Sequence, residues 1–278
     1  MKIAVLSGKG GAGKTFLSVN LAAVAPKAVS VDCDVEEPNG RLFLKPEALG
    51  TQEVTASVPA FDLEKCIGCR ACTDFCRFNA LVFIKNRPKL FQDVCHACGG
   101  RQLVCPVQAI TETKRVTGQV ETGWHKNVQV VTGLLNLGEA SGIPVIKKVL
   151  EFGTSENETV VIDCPPGSAC SVMESVEQAD YCVLVAEPTA FGFHNFCMVW
   201  ELVTLLKKPC GVVINKMDEP YKPLEDFCKE HKIEILEKIP YSKQLAALTA
   251  QGGLICEQDE TMKARFKALL NKIEGEIK

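Results

Sequence analysis

No run in this chain of 278 residues is long and apolar enough to cross a bilayer. The opening segment, Met1-Lys-Ile-Ala-Val-Leu6, is too short for an apolar targeting signal and leads directly into glycines. No excess of charge of either sign is present: 31 Lys and Arg stand against 34 Asp and Glu, a net charge of −3. That balance supplies no electrostatic footprint for nucleic acid or an anionic membrane. Low-complexity segments are also missing. These absences leave no sequence basis for a nucleic-acid partner or a membrane span.

Apolar residues and cysteine are plentiful. An apolar fraction of 46% is ample for a buried core, and the length suits one large domain or two smaller ones. The 15 cysteines are an odd number, and Cys182, Cys197 and Cys210 sit in apolar runs, where a thiol behaves as a small hydrophobe. A disulfide framework is therefore not expected. Cysteine usage of this kind predicts a cytoplasmic protein in a reducing, even anaerobic, cell.

Short apolar runs recur at both ends of the chain: Ile3–Leu6, Ala28–Asp32, Val160–Asp163, Cys182–Ala186 and Gly211–Asn215, each ending near a polar residue. Helical patterning over Lys14–Val24 separates the first two. Such alternation predicts an α/β fold with a mostly parallel sheet and helices on both faces, binding its ligand at the carboxyl ends of the strands. Between about residues 61 and 113 cysteine and glycine replace the periodic pattern, which predicts an insertion folded around metal. The main domain would then comprise 1–60 and 114–278, with Glu53–Ala60 and Arg115–Val131 carrying strands into and out of the insertion.

Gly8-Lys9-Gly10-Gly11-Ala12-Gly13-Lys14-Thr15 fits the phosphate-loop pattern Gly-x4-Gly-Lys-Thr. Backbone N–H groups of such a loop curl around phosphates, Lys14 reaches the β- and γ-phosphates, and the Thr15 hydroxyl binds Mg2+. The helix starting near Lys14 adds its positive end. The nucleotide-binding set expected is Gly10, Gly11, Ala12, Gly13, Lys14, Thr15 and Phe16, together with Asn215 farther along.

Lys9 makes the loop more specific. With it, the chain resembles the deviant phosphate-loop ATPases of the MinD/ParA class, on Val31-Asp32-Cys33-Asp34 with Pro38-Asn39, on Val160-Val-Ile-Asp163-Cys-Pro-Pro-Gly167 and on Val212-Val-Ile-Asn215-Lys216. The resemblance implies a MinD-like phosphate-loop fold and a slow ATPase that works as a dimer, with ATP between subunits. It implies that Lys9 reaches the phosphates bound by the other subunit and that Asp34 orients the attacking water. It assigns Asp163 and Asp32 to the water ligands of Mg2+ and Asn215 to adenine, with Pro240 and the following turn beside the base.

Seven cysteines crowd the insertion: Cys66, Cys69, Cys72 and Cys76, then Cys95, Cys98 and Cys105-Pro106. A triplet at this spacing with a distant fourth partner can wrap a four-iron cluster, whereas zinc prefers separated pairs. The pattern resembles a bacterial two-cluster ferredoxin, which implies an inserted α+β domain. It implies a first 4Fe–4S cluster on Cys66, Cys69, Cys72 and Cys105. The second set is Cys76, Cys95, Cys98 and position 101, where the chain has Arg101, a poor iron ligand. Three thiolates leave a 3Fe–4S cluster, a 4Fe–4S cluster with one open iron, or a lost site. His96 is expected to face solvent.

Three functions follow from a nucleotide switch and clusters in one chain. ATP-gated electron transfer to a redox partner is the first, and assembly or delivery of a cluster or metal cofactor to an acceptor protein is the second. The third is a positioning switch with structural or sensory clusters. The dimer would be with itself or with a paralogous ATPase. Near the C-terminus Met262, Phe266, Leu269, Leu270, Ile273 and Ile277 form a helical stripe, expected to pack on the sheet in preference to lying on a membrane.

Overall fold

The computed structural model describes residues 1–153 and 158–277. Eleven strands occur among them: β1 (Lys2–Leu6), β2 (Ala28–Asp32), β3 (Glu47–Phe61), β4 (Leu81–Ile84), β5 (Arg87–Leu90), β6 (Ile110–His125), β7 (Val128–Leu135), β8 (Thr159–Asp163), β9 (Tyr181–Ala186), β10 (Cys210–Met217) and β11 (Glu234–Pro240). Nine of them form one sheet in the order β11-β10-β9-β1-β8-β2-β7-β6-β3, and β4 and β5 pair separately. From β11 to β7 all neighbours are parallel, while β7–β6 and β6–β3 are antiparallel. The expected mostly parallel α/β sheet is thus present.

The central strands are buried on both faces, which is why they read as continuous runs of Val, Ile and Leu. Two apolar layers cover them. On one face lie the helices Ile143–Leu150, Cys170–Val176 and Ala190–Leu205. On the other lie Lys14–Val24 and Glu260–Ile277. The C-terminal stripe belongs to this second layer: Phe266, Leu269, Leu270 and Ile273 are buried, and the Phe266 ring meets Phe16 edge-on at 5.8 Å. The stripe therefore has no free face for a lipid surface. Among the described residues no helix is long and apolar enough to cross a membrane.

The segment 115–131, expected to carry strands, holds the end of one and the start of another. It is divided by a two-residue turn, Lys126-Asn127, into β6 and β7, and Lys126 takes a left-handed conformation with φ 53. Asn127 Nδ2 pins the turn by donating to the carbonyls of Ala25 and Pro26. β3 and β6 pair without interruption at their far ends, up to Phe61 opposite Ile110. Residues 62–109 fold between those ends around a small apolar core of Val58, Cys76, Ala80, Leu81 and Cys95.

Truncation of Phe266 removes a ring buried against the helix that carries Lys14. Phe266→Ala is expected to destabilise the protein by about 3–5 kcal/mol, read as a lower denaturant midpoint at unchanged slope. A loss below about 1 kcal/mol would contradict this packing.

Candidate functional site

The central strands are mostly apolar, and β2 and β8 end at the carboxyl rim on Asp32 and Asp163. Past Leu6 of β1, left-handed backbone at Gly11 (φ 80) and Gly13 (φ 101) turns the chain into the helix Lys14–Val24. A Cβ on Gly13 would stand 2.1 Å from Asn215 Nδ2, and one on Gly8 would stand 2.1 Å from the Asn195 carbonyl oxygen. Both positions admit only glycine without rearrangement. Gly167 N–H donates to the Ser7 carbonyl at 2.9 Å, tying the segment after β8 to the loop.

Lys14 is buried, with its ammonium 3.8 Å from Asp34 Oδ2. The register of β2 on β8 sets Asp32 directly beside Asp163. Burial raises the pKa of both carboxyls. The Asp163 charge adds to the rise at Asp32, and Lys14 opposes it at Asp163. Burial also pushes Asp34 up to about 6, against the pull of Lys14.

The two strand-end carboxylates differ in their partners. Asp32 Oδ1 accepts from the Asp34 N–H at 3.1 Å and Oδ2 from the Gly40 N–H at 2.9 Å. Through these bonds Asp32 fixes the loop that carries Asp34. Asp163 is 3% exposed, and neither carboxylate oxygen makes a hydrogen bond of good geometry among the described residues, although the Thr15 and Ser18 hydroxyls stand close enough to oppose the rise in its pKa. A buried acceptor pair beside the Thr15 helix turn fits a hydrated Mg2+, whose water ligands donate outward.

Asn215 lines the cleft, but its Nδ2 donates to the Ala12 carbonyl at 2.8 Å, so it also braces the phosphate loop. Lys216 Nζ donates to the Gly11 carbonyl at 2.6 Å and pairs with Glu187 at 2.7 Å. Lys9 pairs with the same Glu187 and lies 5.3 Å from the centre of the Phe191 ring. Burial would raise the Glu187 carboxyl, but Lys216 and Lys9 hold it below its ordinary value. Nothing in sequence spacing marks Glu187 for this task. Thr189, two residues on, caps the helix Ala190–Leu205 by accepting from the Gly192 N–H at 3.0 Å.

The phosphate loop, Asp34, Asn215 and Pro240–Ser242 line one cleft of about 1210 Å³. The turn after β11 thus faces the same cleft as the phosphate loop. Phe16 also lines the cleft through its place at the helix start, while its ring packs into the core.

Between β3 and β6 the cysteine pattern repeats at an offset of 29 residues, matching Cys66 to Cys95, Cys69 to Cys98 and Cys76 to Cys105. Left-handed backbone recurs at the offset, at Gly68 and Ala97, Arg70 and Gly99, and Asn79 and Gln108. Its hydrogen bonds recur too: Thr73 N–H to the Arg70 carbonyl repeats as Gln102 to Gly99, and Asn79 to Cys76 repeats as Gln108 to Cys105. Cys66, Cys69, Cys72 and Cys105 line one small cavity with Phe61, Val107 and Ile110. Among the described residues no three His, Cys, Asp or Glu side chains converge as a single-ion site.

The second set is arranged differently. Arg101 is 3% exposed, and its Nη1 donates to Cys95 Sγ at 3.2 Å and its Nη2 to Cys76 Sγ at 3.7 Å. Burial works against ionisation of Cys76, but the guanidinium holds its thiol below the ordinary value. Cys98 is exposed. His96, expected to face solvent, is half-buried and stacks on Phe78 at 3.7 Å. Arg115 on β6 links the two regions: it pairs with Glu139 at 2.6 Å in the loop leading to the cleft, and stands 4.0 Å from Asp93, beside Cys95.

A strand–glycine loop–helix at the rim of a parallel sheet, with a buried lysine and paired carboxylates, defines a phosphate-loop nucleotide-binding protein. The family is settled by a model that matches residues 3–255: the chain belongs to the CbiA family, the CobQ/CobB/MinD/ParA nucleotide binding domain. It is similar to an uncharacterized protein of Methanocaldococcus jannaschii, 28% identical over 278 residues, covering 99% of this chain and 96% of that one. An uncharacterized ATP-binding protein of the same organism is 27% identical over 257 residues, with 88% and 87% covered. The fold is like that of the Pyrococcus furiosus cell division ATPase MinD, with TM-score 0.61, 18% identity and 99% and 98% covered. It is also like the Pyrococcus horikoshii MinD solved with Mg-ADP, with TM-score 0.60, 17% identity and 98% and 95% covered.

A carboxyl whose pKa is raised from 3.8 to about 6 favours folding most below pH about 4 and loses that advantage as pH rises through about 6. In urea titrations of the nucleotide-free protein, Asp34→Asn is expected to gain on the parent from pH about 4 to 6 and to keep a level lead above that. A gap that does not change with pH would contradict the burial of this charge.

Proposed function

We propose that this chain is an ATP-hydrolysing iron–sulfur protein whose nucleotide-driven dimer cycle gates electron transfer through a ferredoxin-like insertion. The observation that carries the reading is the meeting of Cys66, Cys69, Cys72 and Cys105 at one cavity, in a chain whose sheet rim forms a phosphate cleft. The lack of a single-ion site does not count against it, because a cubane holds its thiolates farther apart than one ion does. A four-iron cluster at these cysteines would supply a one-electron centre. The insertion would comprise 61–113 and the ATPase domain the remainder, in the reducing cytoplasm that thiolate ligands require.

Within the cleft, Lys14 and the loop N–H groups would hold the β- and γ-phosphates, with Phe16 closing the loop's helical end. Thr15 and Asp163 would hold hydrated Mg2+, which neutralises phosphate charge. Asp34 would accept a hydrogen bond from the attacking water, and Asn215 would meet the base with the amide atoms left over from its bond to Ala12. Lys9 would exchange Glu187 for the phosphates of a partner subunit when ATP closes the dimer. Relatives in one organism, 28% and 29% identical to this chain, make a paralogous partner as reasonable as a second copy.

Coupling needs a physical connection, and Arg115 offers one between the loop beside the cleft and the edge of the insertion. Exposure of Cys69 favours exchange with a partner protein, either of electrons or of the cluster itself as cargo. A positioning role with sensory clusters has no comparable support.

Lys14→Ala is expected to lower ATP hydrolysis by more than about a hundredfold while the iron content stays at the parental level. Normal hydrolysis in this variant would overturn the phosphate-site assignment. Midpoint potentials measured anaerobically with and without a non-hydrolysable ATP analogue test the gating. A shift of about 59 mV corresponds to tenfold coupling for one electron. An unchanged potential would remove the electron-transfer reading and leave cluster delivery.

A further inference from the structure

We propose that the second cysteine set holds no cluster, because the Arg101 guanidinium occupies its ligand position, and that the chain carries a single four-iron centre. The inference rests on the reading that the first set binds a cluster. The repeat fixes the equivalence. At the 29-residue offset Arg101 takes the place of Cys72, and Cys95, Cys98 and Cys76 take those of Cys66, Cys69 and Cys105. A second cubane would therefore need a ligand from the one side chain that has no lone pair to give and keeps its proton in proteins.

Arg101 does not swing out to leave three thiols facing an open space. It is almost fully buried, with one guanidinium nitrogen on Cys95 Sγ and another on Cys76 Sγ, the two buried thiols of the set. These contacts join the halves of the repeat, since Cys76 comes from the first and Cys95 from the second. A shared metal ligand set would otherwise do the same. Val58, Ala80 and Leu81 pack around the two cysteines. A cluster entering here would have to displace a buried cation from an apolar setting or leave it against the iron. The Arg101 Nε–H lacks a partner among the described residues, so the cation is held by its terminal nitrogens alone. The basic side chain beside the first set behaves otherwise: Arg70 lies over the Phe83 ring at 4.9 Å.

One cluster changes what the insertion can do. There is no second centre to relay to, so an electron enters and leaves through the same site, next to the exposed Cys69. Each chain would store one electron, and two-electron delivery would need both subunits of a dimer.

Iron and acid-labile sulfide counts on the full chain, reconstituted anaerobically, test the inference. The parent is expected to bind about four irons, and its reduced EPR spectrum to be that of one isolated cluster. Arg101→Cys is expected to raise the count to about eight and to add the line broadening of two interacting clusters. About seven or eight irons in the parent would overturn the proposal and leave the first cluster intact. No iron in the parent would instead overturn the cluster reading beneath it. Cys98→Ser serves as a second variant if Arg101→Cys does not fold. It should leave the count at about four, and a fall in iron would overturn the proposal.

Discussion

A parallel strand with helices over both faces has no room for a polar side chain until it leaves the sheet. β1, β2, β8 and β9 largely follow this constraint, with the small buried Ser30 of β2 an exception, and the polar residues at their carboxyl ends gather at one rim as a result. Lys14, Asp34, Asp163, Glu187 and Asn215 come from five separate segments and meet there because each strand runs out of sheet on the same side. The raised pKa values of the three aspartates follow from that crowding in a dry rim.

The rim is also held under electrostatic tension. Lys9, Lys216 and Glu187 form a triad in which one carboxylate serves two cations, and Lys216 reaches on to the Gly11 carbonyl. The phosphate loop is thereby fixed from below by Asn215 and from the side by Lys216. Lys9, which the family resemblance sends across a dimer interface, is held in its own chain by an ion pair. The two side chains are 26% and 12% exposed.

The insertion solves a different problem. Fewer than fifty residues between β3 and β6 cannot bury much apolar surface, and their core is five residues with two cysteines among them. On one side four thiols face a cavity. On the other a guanidinium joins two thiols, and the same backbone, repeated at the same left-handed positions, accommodates both arrangements.

Much of this was legible in the chain itself. The helix Lys14–Val24 and the strand Ala28–Asp32 have the bounds their periodicity predicts, because local propensity and burial agree there. The glycine loop is likewise a local signal, since a phosphate cradle is built from neighbours in sequence. What escaped is settled by tertiary contact: the capture of Lys9 by Glu187 and the burial of Arg101 between Cys76 and Cys95. A sequence states which groups are available, and short-range geometry states what a loop can bind. Only the packed structure decides which charge finds which partner, because that depends on strand register and on which groups burial has stripped of water.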